Sequence, residues 1–282
     1  MIGWNTARTF AACVAVIVAL LAVPAWAQPW IPPANSGTVK ATVSFTDANS
    51  SFSPSSFGTA RTPSSTRTQD RQLRANIVYG LGDGWAFNYD LRGDNLSKTK
   101  RGRTRSTTGL QNQYIGLSHA LRQRPAFADA VSLSLITPTL TRTRRDDPKL
   151  GIDPFAFEAL YTVGVKGRLG SHGVFANFAI GPWIYPRDGV VQLRSSLAAG
   201  IGVVPRVTLI GTVFFPRTIV GRRPSAVSNP TNAEFYDLLL GGVELKYALT
   251  PTVRLITGYQ RKFAGQSISA DNRVILGASW RF

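Results

Sequence analysis

The side chains with chemistry to offer are arginines and lysines spaced two apart, facing a few carboxylates. Asp90, Arg92 and Asp94 alternate with Tyr89, Leu91 and Gly93. Glu158, Lys166 and Arg168 alternate with Phe157, Tyr161, Val163 and Val165, and Gln192, Arg194 and Ser196 with Leu193, Ser195 and Leu197. Arg254 falls in a similar run near the C-terminus. A guanidinium grips a carboxylate through parallel N–H donors, and charges of one sign around an enclosed path select ions electrostatically. The expected chemistry is therefore recognition of anions, with Arg92, Arg168, Arg194 and Arg254 as the basic candidates and Asp90 and Glu158 opposing them. A wider inward set holds Lys40, Arg74, Lys166, Arg206, Arg273 and Arg281, with Asp94 and Glu244. The same groups can instead pair with one another and simply fill an interior.

Bond-making chemistry has little to work with. The only cysteine is Cys13, and the histidines are His119 and His172. No disulfide framework, thiol nucleophile, metal site or cofactor is expected. Lipid-modifying enzymes of bacterial outer membranes use a serine whose proton a histidine takes. His119 falls just before a short turn and His172 within one, at the end of the chain path away from where such enzymes work. The expectation is a protein that is not an enzyme.

The elements that must position the charged residues are strands. A polar start with Arg8, an apolar run from Phe10 to Val23, Pro24 and Ala25-Trp26-Ala27 have the layout of a secretory signal peptide over 1–27. The run is too short to cross a bilayer as a helix, which takes about 20 residues. A short periplasmic lead is expected over 28–36. Beyond it, apolar and polar residues alternate with a period of two, as half-buried strands do. The segments lie near 37–47, 69–81, 85–96, 107–121, 129–140, 155–168, 173–185, 190–203, 206–216, 234–248, 252–263 and 272–282. Polar residues fall on both faces at 107–121, and Gly241-Gly242 has the look of a bulge.

Short links such as Gly82-Asp83-Gly84, Val204-Pro205 and Thr250-Pro251 alternate with long ones at 48–68, 97–106, 141–154, 217–233 and 264–271. An outer-membrane barrel has short periplasmic turns and longer outer loops. The last strand places Val274, Leu276, Ala278, Trp280 and Phe282 on one face. An alternating strand with a terminal aromatic resembles the signal read by the barrel-assembly machinery, and Trp280 and Phe282 are its candidates. The predicted fold is all-β: a transmembrane antiparallel up-and-down β-barrel over 37–282, of about twelve strands. A water-soluble β-sandwich, apolar inside and polar outside, is the competing fold.

Without the leader the chain carries 32 − 1 = 31 basic and 15 acidic residues, a net of +16. Export removes nucleic acid as the partner that such a charge would otherwise imply. Lys98, Lys100, Arg101, Arg103 and Arg105 crowd one long link, and Arg142, Arg144 and Arg145 another. They are read as contacts to lipopolysaccharide phosphates, or as a field that draws anionic solutes in. The expected function is a channel for small solutes of anionic or aromatic character in the bacterial outer membrane, among outer-membrane lipid. A structural barrel without transport and a lipid-modifying enzyme are the alternatives.

Several short motifs also occur in a familiar order: Gln28-Pro-Trp-Ile-Pro-Pro-Ala-Asn-Ser-Gly-Thr-Val-Lys40, Tyr79-Gly-Leu-Gly-Asp-Gly-Trp85, Gln113-Tyr-Ile-Gly-Leu-Ser-His-Ala-Leu121 and Leu133-Ser-Leu-Ile-Thr-Pro-Thr139. This order resembles the outer-membrane family associated with meta-cleavage pathways of phenol degradation, whose members are regarded as transporters. Thr107-Thr-Gly109 carries one glycine where that family has a Gly-rich segment. The resemblance implies a barrel and uptake of aromatic or other small compounds.

Overall fold

Period-two alternation over ten or more residues leaves each segment with one apolar face and one polar face, and a closed sheet can satisfy both at once. The computed structural model describes residues 29–53, 55–137, 147–148, 150, 155–221, 237–266 and 268–282. The strands are β1 (Gly37–Phe52), β2 (Arg61–Gly82), β3 (Trp85–Lys100), β4 (Arg103–Leu110), β5 (Gln113–Gln123), β6 (Phe127–Thr137) and β7 (Ala156–Leu169). They continue with β8 (His172–Tyr185), β9 (Val190–Val204), β10 (Val207–Val220), β11 (Asp237–Ala248), β12 (Val253–Gln266) and β13 (Asn272–Arg281). Both β4 and β5 pair with β3 and lie end to end, so together they fill one place in the wall. The wall is a closed antiparallel barrel of twelve positions, shut where β13 pairs with both β12 and β1. At that seam the Gly37 amide donates to the Phe282 carbonyl at 2.9 Å, and the Phe282 amide returns a bond at 3.1 Å.

The two faces are inverted relative to a water-soluble protein. Leu133 and Leu73 on the outside are 67% and 58% exposed, while Asp90 on the inside is fully buried. Thr42, Ser44 and Thr46 face inward between the outward Val43 and Phe45. A soluble sandwich would bury the leucines and expose the aspartate. An apolar outer belt around a polar lumen is the arrangement of a membrane barrel.

One irregularity explains the mixed faces of 107–121. Gly93 opposes Leu110, yet Asp90 opposes Tyr114, so three steps along β3 match four along its partner. The extra residue sits at Gln111-Asn112. Both are buried; the Gln111 amide donates to the Arg92 carbonyl at 2.8 Å, and Asn112 Nδ2 to the Thr137 carbonyl at 2.9 Å. An unopposed residue exchanges the faces: odd-numbered Thr107 points inward before it, even-numbered Tyr114, Gly116 and Ser118 after it. The bulge expected at Gly241-Gly242 is displaced. Those glycines pair regularly with Arg261 and Gln260, and the unopposed residue is Phe263 on β12, between Leu239↔Ala264 and Leu240↔Lys262.

The long links at 48–68 and 97–106 are also largely strand. Pairing continues from Ala48↔Thr68, across an irregularity, to Ser50↔Pro63 and Phe52↔Arg61, and from Gly93↔Leu110 to Lys100↔Arg103. Arg101 and Gly102 turn the latter hairpin with φ of 49° and 75°, the left-handed pair that a tight two-residue hairpin requires. The lead before β1 does not extend away from the wall. Ile31 is buried against the inward Ala86, Ala120, Ala130 and Val78, and Pro29 is buried beside Gly164. Gln123 Nε2 donates to the Ile31 carbonyl at 2.8 Å, and the Lys166 ammonium lies 4.5 Å from the Trp30 ring centroid. The lead thus fills part of the lumen at the short-turn end. The expected signal peptide lies outside the described residues.

Candidate functional lumen

Inward positions of neighbouring strands bring four of the six lumen candidates onto one side of the interior. Asp90 on β3 accepts from Arg74 Nε at 2.5 Å and from Arg92 Nε at 3.0 Å. The Arg92 guanidinium lies 4.6 Å from the Tyr114 ring centroid. Tyr114 meets Trp183 edge to face at 5.6 Å. The Arg194 guanidinium stacks 3.1 Å from the Trp183 centroid, and its Nη1 stands 3.7 Å from Glu158 Oε1. Guanidinium groups stack well on ring faces because the ring quadrupole attracts a cation. A cation–aromatic ladder, Arg92–Tyr114–Trp183–Arg194, thus spans from β3 to β9 with one carboxylate at each end.

Across the lumen Lys40 on β1 reaches Glu244 on β11 at 3.0 Å, and Lys246 shares the same carboxylate at 3.0 Å. Inward Gly258, Gly277 and Ser279 on the two intervening strands leave the lysine stem its passage. Nearer the long-loop end, Lys262, Ser269 and Asp271 form a buried triad, with Lys262 Nζ to Asp271 Oδ2 at 2.5 Å and Ser269 Oγ to the same oxygen at 2.7 Å. Asp70 and Asp94 are buried beside it, and Arg273 donates to Thr46 Oγ1 at 3.1 Å. Phe52, Leu238, Ile268 and Ala270, with Phe214 and Leu240 against them, close part of that end with an apolar cluster.

The basic link is a hairpin whose two faces differ. Lys98 opposes Arg105 and Lys100 opposes Arg103. They share the face of Leu96 and Thr107, which are buried toward the lumen. The opposite face carries Asn95, Ser97, Thr99, Thr104, Ser106 and Thr108, paired through Asn95–Thr108 and Thr99–Thr104 hydrogen bonds at 2.8 Å. The cations therefore stand over the mouth, and neutral side chains face the surroundings. Arg101 occupies the turn. Arg142, Arg144 and Arg145 lie outside the described residues.

Other candidates stand apart. Arg168 is exposed at the short-turn end of β7, and Arg254 faces inward near the short-turn end of β12, without joining the ladder. Arg206 occupies a turn at φ 70° rather than an inward strand position, and Arg281 is exposed at the end of β13. Trp280 and Phe282 pack 5.0 Å apart at the seam, where Phe282 also stacks on Tyr79 at 6.3 Å. His119 lies against Trp85, ring centroids 4.4 Å apart, and His172 Nδ1 is 2.7 Å from the Gly202 carbonyl. Sequence reasoning missed Tyr114 and Trp183. The bulge at 111–112 hides the facing of Tyr114. Trp183 lies in β8, where both faces are rich in apolar residues, and Asn177 at the same parity is the one polar signal for the inner face.

Among solved structures the chain is similar to an outer membrane channel from Pseudomonas putida F1, at 14% identity and a TM-score of 0.65, over 92% of this chain and 99% of that one. Weaker likenesses include the translocator domain of autotransporter NalP from Neisseria meningitidis, at 11% identity and a TM-score of 0.49 over 89% of this chain and 90% of that one. The NanC porin is similar at 9% identity and a TM-score of 0.49, over 85% of this chain and 100% of that one. No known family profile matches the chain. No curated protein matches it either.

Proposed function

We propose that this chain is a channel of the bacterial outer membrane through which small solutes pass passively, with preference for anionic and aromatic ones. The observation that carries this reading is the orientation of charge. A closed wall presents apolar residues outward, while Lys98, Lys100, Arg103 and Arg105 line the mouth side of one hairpin above a lumen holding Arg74, Arg92, Arg194, Lys40 and Lys246. Cations lining a narrow, low-dielectric entry focus the field and raise the local concentration of anions. Of the two roles expected for the basic link, anion capture fits the inward register of these side chains. Lipopolysaccharide and lipid belong around the apolar belt in this reading, and residues 1–27 serve export. The likeness to an outer membrane channel of 14% identity supports the barrel on which the reading stands.

The test is ion selectivity. Purified protein in planar bilayers under a KCl gradient should give a reversal potential favouring chloride. The Lys98→Glu/Arg105→Glu variant should move that potential toward potassium. Absence of any conductance, or cation preference in the native protein, would overturn the reading.

A further inference from the structure

The ladder beside β8 and β9 contains donors that the protein does not use. Trp183 is 2% exposed and Arg194 9%, yet Trp183 Nε1 and Arg194 Nε have no acceptor. Arg194 is otherwise engaged: Nη2 donates to Gln192 Oε1 at 3.2 Å, and Nη1 faces Glu158 at 3.7 Å. Buried N–H groups are nearly always paired, and each exception calls for an explanation. These two belong to groups stacked 3.1 Å apart, which places both donors at one contact.

The surroundings define the rest of the ligand. Ile136, Ala156, Tyr185 and Val190 cluster with Trp183, and Tyr114 packs against them. An anion seated on the two donors would therefore have apolar and aromatic side chains as its neighbours, and Arg194 and Glu158 keep a tenth of their side-chain surface open. We propose that Trp183 and Arg194 form a carboxylate-binding subsite in the lumen, selective for carboxylates carrying a flat aromatic group. The proposal rests on the channel reading above. The carboxylate accepts from Trp183 Nε1 and Arg194 Nε, and its ring packs among the cluster around Trp183. Acetate satisfies the donors alone, and benzyl alcohol offers the ring without the charge.

Benzoate, acetate and benzyl alcohol added to the reconstituted protein separate these contributions. Benzoate should block the KCl current at a concentration about tenfold below that of either other compound, a difference of about 1.4 kcal/mol. Trp183→Phe removes one donor and Arg194→Lys replaces the planar fork by a point charge. Either should raise the half-blocking benzoate concentration about tenfold, whereas Trp85→Phe, on the outer surface, should not. Each variant is first checked for the folded mobility shift on heat-modifiability gels. A protein that conducts but is blocked equally by benzoate and acetate leaves the channel standing and overturns the subsite. If no current is seen, the channel reading fails, and equilibrium dialysis of benzoate against the detergent-solubilised protein decides the subsite. Binding lost in Trp183→Phe and Arg194→Lys upholds it, and no binding to the native protein overturns it.

Discussion

Asp90 is the side chain whose removal reads out most clearly, since it is fully buried and bridges two guanidiniums at 2.5 and 3.0 Å. Asp90→Asn removes one negative charge while keeping the shape and one acceptor. Removing one partner of a buried ion pair costs about 3–5 kcal/mol, because the remaining charge is left without compensation. Asparagine's carbonyl still accepts from one arginine, so a loss near the lower end, about 3 kcal/mol, is expected. The same change alters conduction. At about 8 Å in a water-filled path, a unit charge is worth roughly 0.5 kcal/mol to a passing ion. The sign is opposite for cations and anions, so their permeability ratio should shift toward anions by about 1 kcal/mol, roughly fivefold. Two assays check this: the urea midpoint for refolding into detergent micelles, and the reversal potential in a KCl gradient. An unchanged midpoint together with an unchanged reversal potential would refute both the bridging role and the place of Asp90 beside the conduction path.

The lead and the bulge give two further tests. A Cβ on Gly164 would stand 2.5 Å from Pro29 Cγ and from Trp30 Cζ3. Gly164→Val should therefore displace the lead at a cost of about 1–3 kcal/mol and raise single-channel conductance, and equal conductance would mean that residues 29–31 do not obstruct the lumen. Deleting Asn112 removes the unopposed residue and turns either β4 or β5 over, setting Thr107 or Tyr114 toward the outside. The folded fraction on heat-modifiability gels should fall at least about tenfold, and a normal yield would contradict the register of β3 with β4 and β5.

Much of the wall was legible from alternation, because a strand between lipid and a polar interior must place apolar residues at every second position. Trp85 to Asp94 and Asn272 to Phe282 carry that pattern without interruption, and both lie in the wall with the expected faces. The pattern fades toward the long-loop end of the wall. The ladders from Ala48 to Phe52 and from Asn95 to Lys100 have polar residues on both faces, so they resemble loops in sequence although they are paired strands. For the same reason the hairpin cations looked like a cluster without direction until register gave them a common face.

What the chain alone determined is which side chains share a face within one segment, since that follows from backbone geometry and the medium on each side. It placed Asp90 with Arg92, and separately Glu158 and Arg194, on polar faces. Only the tertiary structure decided that Tyr114 and Trp183 join these groups into one ladder, and that the lead turns back into the lumen. Contacts across strands depend on cumulative register, which a single extra residue at 111–112 shifts for everything it precedes. Those long-range pairings are fixed when β13 closes on β1, and no local pattern records that closure in advance.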